Sequence, residues 1–424
     1  MSDTTASPAG AADRNAAEQA AQAVARRSYG KLIAFLAART RDVAGAEDAL
    51  SEAFAAALQA WPTEGIPTTP EAWLLTVARR KMIDASRRQR GQDAMAAQLL
   101  WLADLAENDP DDAAIPDDRL ALLFACAHPA IDAAVRAPLM LQTILGFDAA
   151  AVASAFLVAP ATMSQRLVRA KTRIRQAGIP FRVPGRSELS ERLDAVLDAI
   201  YAAYAQGWSD PAGTDAQRRN LAEEAIWLGA LAASLLPGEP EALGLVALML
   251  HAQARRAARR DAQGRYVPLA EQDTALWDVP MIDEAEALLH RAAAMGVHGR
   301  FQLEAAIQSA HSVRRLTGRA DWPAIEKLYD ALAALTPSPV VALNRAMASA
   351  ETRGPAAALA MLDELARDKR LAQYQPYWAA RAGLLQRLGD AGGAAAAYDL
   401  AIGLEADPAV RDFLQQRRAG LAHR

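Results

Sequence analysis

Cysteine occurs once in the 424 residues, at Cys126. No disulfide can form within the chain, and a zinc site built on several cysteines has no ligands. Aromatic residues make up only 6% and runs of β-branched residues are scarce, which leaves little material for sheets and favours helices throughout. Apolar runs stay short of the roughly 18 residues that a membrane span needs, and no signal peptide is expected. A cytoplasmic protein without a membrane partner is therefore expected. A large charge excess is missing too, with a formal net charge of −4 and a pI near 6.0. Coating nucleic acid by bulk charge is excluded, so any DNA contact has to be local. Neither G-x-x-x-x-G-K-[ST] nor G-x-G-x-x-G occurs, so no phosphate-binding loop is expected. Histidine is sparse: His290, His298 and His311 lack metal-ligand spacing. Cys126 and His128 stand beside Pro129, where a structural role at a helix end fits them better than chemistry. No catalytic residue, cofactor or metal is expected, and the chain does not read as an enzyme.

Alanine dominates the 52% of hydrophobic residues. At roughly 100–200 residues per domain, two to four all-α domains are expected. The most informative stretch is Asp148–Arg175. It reads as a short helix with Asp148 as N-cap, a turn, and a second helix with Pro160 in its first turn. In that second helix Met163, Leu167, Ala170 and Ile174 recur at spacings of four, three and four and form one buried stripe. The opposite face carries Thr162, Gln165, Arg166, Arg169, Thr172 and Arg173, and no acid occurs between Ala161 and Arg175. A short buried helix followed by a basic, acid-free one is the pattern of a helix-turn-helix.

Composition divides the rest. Residues 1–23 lack a usable apolar stripe and read as a disordered arm; 24–90 form a first compact unit. There Val43, Ala46, Leu50, Phe54, Ala57 and Trp61 define a core face, with Asp48, Glu52 and Gln59 opposite and Glu47 on the flank. A Pro- and Thr-rich loop over Pro62–Glu71 leads to the helix Trp73–Arg90, whose stripe is Leu75, Ala78 and Met82. Arg79, Arg80, Asp84 and Arg87 cover much of its other side. An acidic and a basic helix around an exposed loop suggest two partners of opposite charge. Residues 91–118 form an acidic linker, 119–176 a second unit with the helix-turn-helix, and 177–188 a Pro- and Gly-bearing linker. From 189 to 424 helix pairs alternate with Pro and Gly. Trp378–Pro408 resembles a tetratricopeptide repeat, and Pro339–Leu365 a degenerate copy. The run Arg255-Arg256…Arg259-Arg260 reads as a solvated face. Arg265, Asp273, Trp277 and Asp278 share a loop that could meet a ligand or partner.

Taken together the motifs resemble a bacterial sigma factor of the extracytoplasmic-function type. Ala46–Leu58 is similar to region 2.2, Trp73–Arg88 to regions 2.3 and 2.4, and Asp148–Arg175 to region 4.2. They cover about 150 residues in the order of that group. The long extension, with Phe181–Pro184, Ala270–Asp278 and Pro337–Ala346, resembles the subgroup carrying a C-terminal tetratricopeptide-like domain. Arg80 departs from the Asn that many simpler members have there.

The resemblance implies a dissociable subunit of core RNA polymerase, contacting clamp and flap, that selects promoter DNA. Glu47, Asp48 and Glu52 would face the clamp. Trp73, Arg79, Arg80, Asp84, Arg87 and Arg88 would capture and help melt the −10 element. Thr162, Gln165, Arg166, Arg169, Thr172 and Arg173 would read the −35 element. The acidic linker would thread the positively charged channels of the polymerase, and the C-terminal domain would regulate activity or dock a protein partner. Two other readings compete. One is a ligand-responsive helix-turn-helix regulator that does not join polymerase; the other, a repeat scaffold, leaves Trp73–Arg90 without a role.

Overall fold

The computed structural model describes residues 8–40, 42–89, 119–177, 186–208 and 216–423. The acidic linker, Phe181–Pro184 and the side chains of Arg87 and Arg88 lie outside the described residues. The all-α expectation holds: the structure is about 81% helical, with 19 α-helices and no strand among the described residues. None of these helices is both long and apolar enough to cross a membrane by itself. The chain forms two compact units, Met1–Ala203 and Tyr204–Arg424.

In the first unit, α1 (Pro8–Thr40), α2 (Val43–Glu64) and α3 (Pro70–Gln89) pack together. The arm expected over residues 1–23 is helical from Pro8 onward. Ala17 and Ala21 are buried and continue the spacing of Val24, Ser28 and Leu32. Alanine makes a weak apolar stripe, yet it is the best helix former and needs little space. In α2 the expected face is buried at Val43, Ala46, Leu50, Ala57 and Trp61. Asp42 caps the helix by accepting from Gly45 N at 3.0 Å. Pro62 lies inside α2 rather than in the loop, which spans residues 65–69 instead. Gly65, at φ 89°, closes the helix by donating to Trp61 O.

A second group of helices belongs to the same unit: α4 (Arg119–Cys126), α5 (Ala133–Thr143), α6 (Ala149–Ala155) and α7 (Pro160–Ala177). Its core holds Leu120, Phe124, Leu139, Met140, Ile144, Val152, Met163 and Leu167. Gly30 brings α1 against the end of α5, because a Cβ there would overlap the carbonyl of Ile144. The first unit continues into α8 (Arg186–Trp208), beyond the linker expected over 177–188. The buried Arg192 of α8 donates to Phe124 O at 3.1 Å and satisfies the end of α4.

The second unit contains α9 (Ala216–Leu235), α10 (Pro240–Gln253), α11 (Val279–Ala293), α12 (Arg300–Ser312), α13 (Arg314–Thr317), α14 (Trp322–Leu335), α15 (Pro339–Thr352), α16 (Pro355–Leu365), α17 (Gln375–Arg387), α18 (Ala391–Leu404) and α19 (Pro408–Ala419). Residues 242–251 of α10 are buried on every side, and Gly244 lets α12 approach at Gln302. Two helix pairs, α15–α16 and α17–α18, turn at Gly354 and Gly389 with φ of 90° and 84°. Cores around Leu362, Tyr377 and Leu384, and around Tyr398 and Leu414, hold these pairs.

Candidate nucleic-acid interface

The two helices of the helix-turn-helix pattern expected over Asp148–Arg175 are present as α6 and α7. Asp148 accepts from Ala151 N at 2.7 Å and starts α6. The chain turns within residues 156–159, where Leu157 takes a left-handed φ of 52°. That conformation is costly for a bulky residue and fixes the turn sharply. The two helices lie 107° apart, within the range of about 90–120° typical of this motif.

On α7, Met163 and Leu167 are buried, and Ala170 and Ile174 are partly buried. Thr162, Gln165, Arg166, Arg169, Thr172 and Arg173 are all exposed on the other side. The hydroxyl of Thr172 donates to Val168 O at 2.9 Å, so its proton is already engaged along the helix. Val168, not among the expected contacts, stands 64% exposed on the same helix. Its single apolar side chain gave no periodic signal, because a stripe is defined by repetition.

Lys171 lies on the flank of α7. Its Nζ donates to Glu47 Oε2 at 2.7 Å, joining α7 to α2. Neither residue's local pattern announces this pair, which spans 124 positions in sequence. Cys126 is buried nearby, and burial pushes its thiol up to about 12 against the opposing pull of Lys171. Such a thiol is unreactive at neutral pH. His128 Nδ1 accepts from Ala130 N at 3.1 Å in the turn after α4, a structural role at a helix end.

The acidic trio on α2 divides. Asp48 is exposed, Glu47 is held by Lys171, and Glu52 pairs with Lys81 at 3.0 Å on the surface. Tyr29 packs on Phe54 with ring centroids 6.2 Å apart. Burial, then the charge of Glu47, raises its phenol to about 12.

The expected −10 residues on α3 are not equivalent. Arg80 and Asp84 are exposed one turn apart. Trp73 instead packs edge-on against Trp61, with centroids 5.6 Å apart. The Arg79 guanidinium lies 5.3 Å from the Phe35 ring centroid, a cation–π contact with α1. Both side chains are partly buried in the bundle, with part of each surface still accessible.

In the second unit the arginine run departs from the solvated face that its composition suggested. Arg255 is only 7% exposed, and Arg256, Arg259 and Arg260 are partly buried. Helix α10 is apolar all round, so the segment that follows it starts from the interior. Asp273 and Asp278 cap a 3-10 turn and α11, and Arg265 is paired with Asp261. Trp277 is buried. Of the other histidines, His290 and His298 are exposed and His311 is partly buried against Trp322.

Residues 24–92 match the family described as Sigma-70 region 2, which takes in the second half of α1 and all of α2 and α3. Residues 192–293 match a family of unknown function (DUF6596). The chain is 41% identical over 383 residues to an uncharacterized protein of Rhizobium meliloti (strain 1021). That alignment covers 89% of this chain and 90% of the relative.

Proposed function

The chain belongs to one family with its Rhizobium meliloti relative and carries a sigma-70 region 2; on that premise we propose an extracytoplasmic-function-type sigma factor that brings core RNA polymerase to a defined set of promoters. In this reading α2 meets the polymerase clamp through Asp48, with Glu47 and Glu52 released from their present partners. The loop before α3 and the exposed Arg80 and Asp84 take the −10 element, with Arg79, Arg87 and Arg88 adding cations and Trp73 an aromatic edge.

The observation that carries the −35 assignment is the outward, acid-free face of α7, set at 107° to α6. Arg166, Arg169 and Arg173 offer forked donors to guanine O6/N7 or to phosphates, and Gln165 suits adenine. Thr162 is open to base or backbone, Thr172 can only accept without giving up its helix bond, and Val168 suits a thymine methyl. The linker threads the polymerase, and the group of α4–α7 docks on the flap. The second unit, with tetratricopeptide-like pairs α15–α16 and α17–α18, regulates this activity or receives a protein partner.

Co-elution of the full chain with purified core polymerase tests the reading. A sigma factor binds core in solution and binds promoter duplex weakly without it. Tight duplex binding by the isolated protein, with no complex with core, would instead identify a conventional helix-turn-helix regulator.

A further inference from the structure

The connection from α10 to α11 runs over residues 254–278, whereas packed helices are usually joined by roughly 2–8 residues. This one is ordered by its own bonds. Arg260 and Tyr266 form an antiparallel bridge, and Val267 N donates to Arg259 O at 2.9 Å. Asp261 Oδ1 accepts from Gln263 N and Arg265 N at 3.0 and 2.9 Å. At the root of the loop Ala258, Leu269 and Trp277 pack with Ala254 and Ile282. Arg314 of α13 donates to Leu269 O and Gln272 O.

The far side of the loop meets the other end of the helical stack. From α12 onward the helices pack on their neighbours in chain order, through α14, α15, α16, α17 and α18 to α19. In such a stack contacts run between neighbours only. The loop departs from that rule, because it touches α19 across 146 and 147 positions of sequence. Arg260 pairs with Asp407, Tyr266 meets Phe413 edge-on with centroids 5.4 Å apart, and Glu271 pairs with Arg417. Arg260 also lies 6.0 Å from the Tyr266 centroid, and Arg417 5.1 Å from that of Phe413. Asp407, Arg260, Tyr266, Phe413, Arg417 and Glu271 thus form one continuous ladder of charges and rings.

This ladder is a seam rather than a core. Among the described residues, the loop's apolar cluster around Trp277 and the cluster around Tyr398 and Leu414 in α17–α19 share no member. Glu271 and Arg417 are 54% and 44% exposed, and ion pairs so open to water hold little. The Arg260–Asp407 pair, 12% and 25% exposed, is the firmer of the two. The other carboxylate oxygen of Asp407 caps α19, accepting from Ala409 N at 2.9 Å. Parting at the seam unpacks neither cluster, so it costs less than separating two helices that share a core.

We propose that residues 254–278 are a strap that holds the helical stack of the second unit closed, and that the unit opens by parting at this seam with its helices intact. The strap rests on residues of the second unit alone, so it stands or falls apart from the sigma reading.

The test is a distance measurement across the seam in the full chain. Spin labels on Gln263→Cys and Gln416→Cys, both exposed in the parent, report that distance by pulsed electron resonance, and the buried Cys126 stays unlabelled. Arg260→Gln and Glu271→Gln should each at least double the population at long distance, with the circular dichroism spectrum unchanged. Arg345→Gln, whose parent residue pairs with Asp330 instead, should leave the distances as they are. Glu271→Gln, at the exposed end of the ladder, carries the test if Arg260→Gln does not fold. A single short distance unmoved by the folded variants, or opening only with loss of helix content, overturns the proposal.

Discussion

Lys171 Nζ stands 2.7 Å from Glu47 Oε2, so the helix proposed to read DNA is tied to the helix proposed to bind polymerase. The two side chains are 25% and 22% exposed, which shields the pair from solvent more than a surface ion pair. In the sigma reading polymerase must displace Lys171 before it can use Glu47. Lys171→Met should therefore tighten binding to core polymerase by up to about fivefold, the equivalent of roughly 1 kcal/mol. Competition titration against labelled wild-type chain measures this. Weaker binding by the variant would show that Lys171 contributes to the complex instead.

Gly30 gives a second handle on the first unit. A methyl group at this position would overlap Ile144 O, and backbone cannot move aside as a flexible side chain can. Gly30→Ala should cost about 1–3 kcal/mol, seen as a lower midpoint in urea unfolding followed by circular dichroism. An unchanged midpoint would mean that α1 does not rest on the end of α5 in solution.

The legible part of the candidate interface is the part written in local periodicity. Met163 and Leu167 are buried, and the expected −35 residues face outward, because a helix repeats every 3.6 residues whatever surrounds it. Trp61 beneath Trp73, and Phe35 beneath Arg79, come from other helices, so a wheel drawn on α3 alone could not show that these side chains pack inward. The arginines after α10 misled for a related reason. Charge suggested solvent, whereas the uninterrupted apolar run 242–250 was the available sign that the helix feeding them is buried all round. The helix over residues 8–23 was missed because alanine carries helix propensity without a visible stripe.

The exposed arginines of α7 should separate by role. Replacing a guanine-reading arginine by Ala costs about 1–3 kcal/mol and relaxes preference at one base position. Losing a phosphate contact weakens all promoters alike and lowers the salt slope by about one. Holoenzyme binding to a randomised −35 library, repeated for Arg166→Ala, Arg169→Ala and Arg173→Ala at two salt concentrations, distinguishes them. Full activity of all three variants would remove α7 from the interface.

Stability of the second unit should fall in mild acid. Burial, then Arg255, pushes His251 down to about 4. Burial, then Arg255 and Arg314, does the same to His311, again to about 4. Both folded values lie below the ordinary 6.5, so the unfolded chain takes up protons first as pH drops. The stabilisation is complete above about pH 6.5 and is lost progressively down to about pH 4, by up to about 1.4 kcal/mol per pH unit for each histidine. Denaturant midpoints measured from pH 7.5 to 4.5 should follow that slope, and His311→Phe should flatten it. A midpoint independent of pH over this window would contradict the burial of both imidazoles.

Run-off transcription with purified core RNA polymerase on a genomic fragment library, with and without the full chain, is the most direct test of the sigma assignment. The expected result is a discrete set of new start sites that share −10 and −35 elements and are lost with Arg169→Ala or Arg80→Ala. If the full chain is silent, a chain ended after Trp208, which keeps Arg192 on the end of α4, should release the same transcripts. No new start sites from either chain, although both bind core, would contradict the assignment.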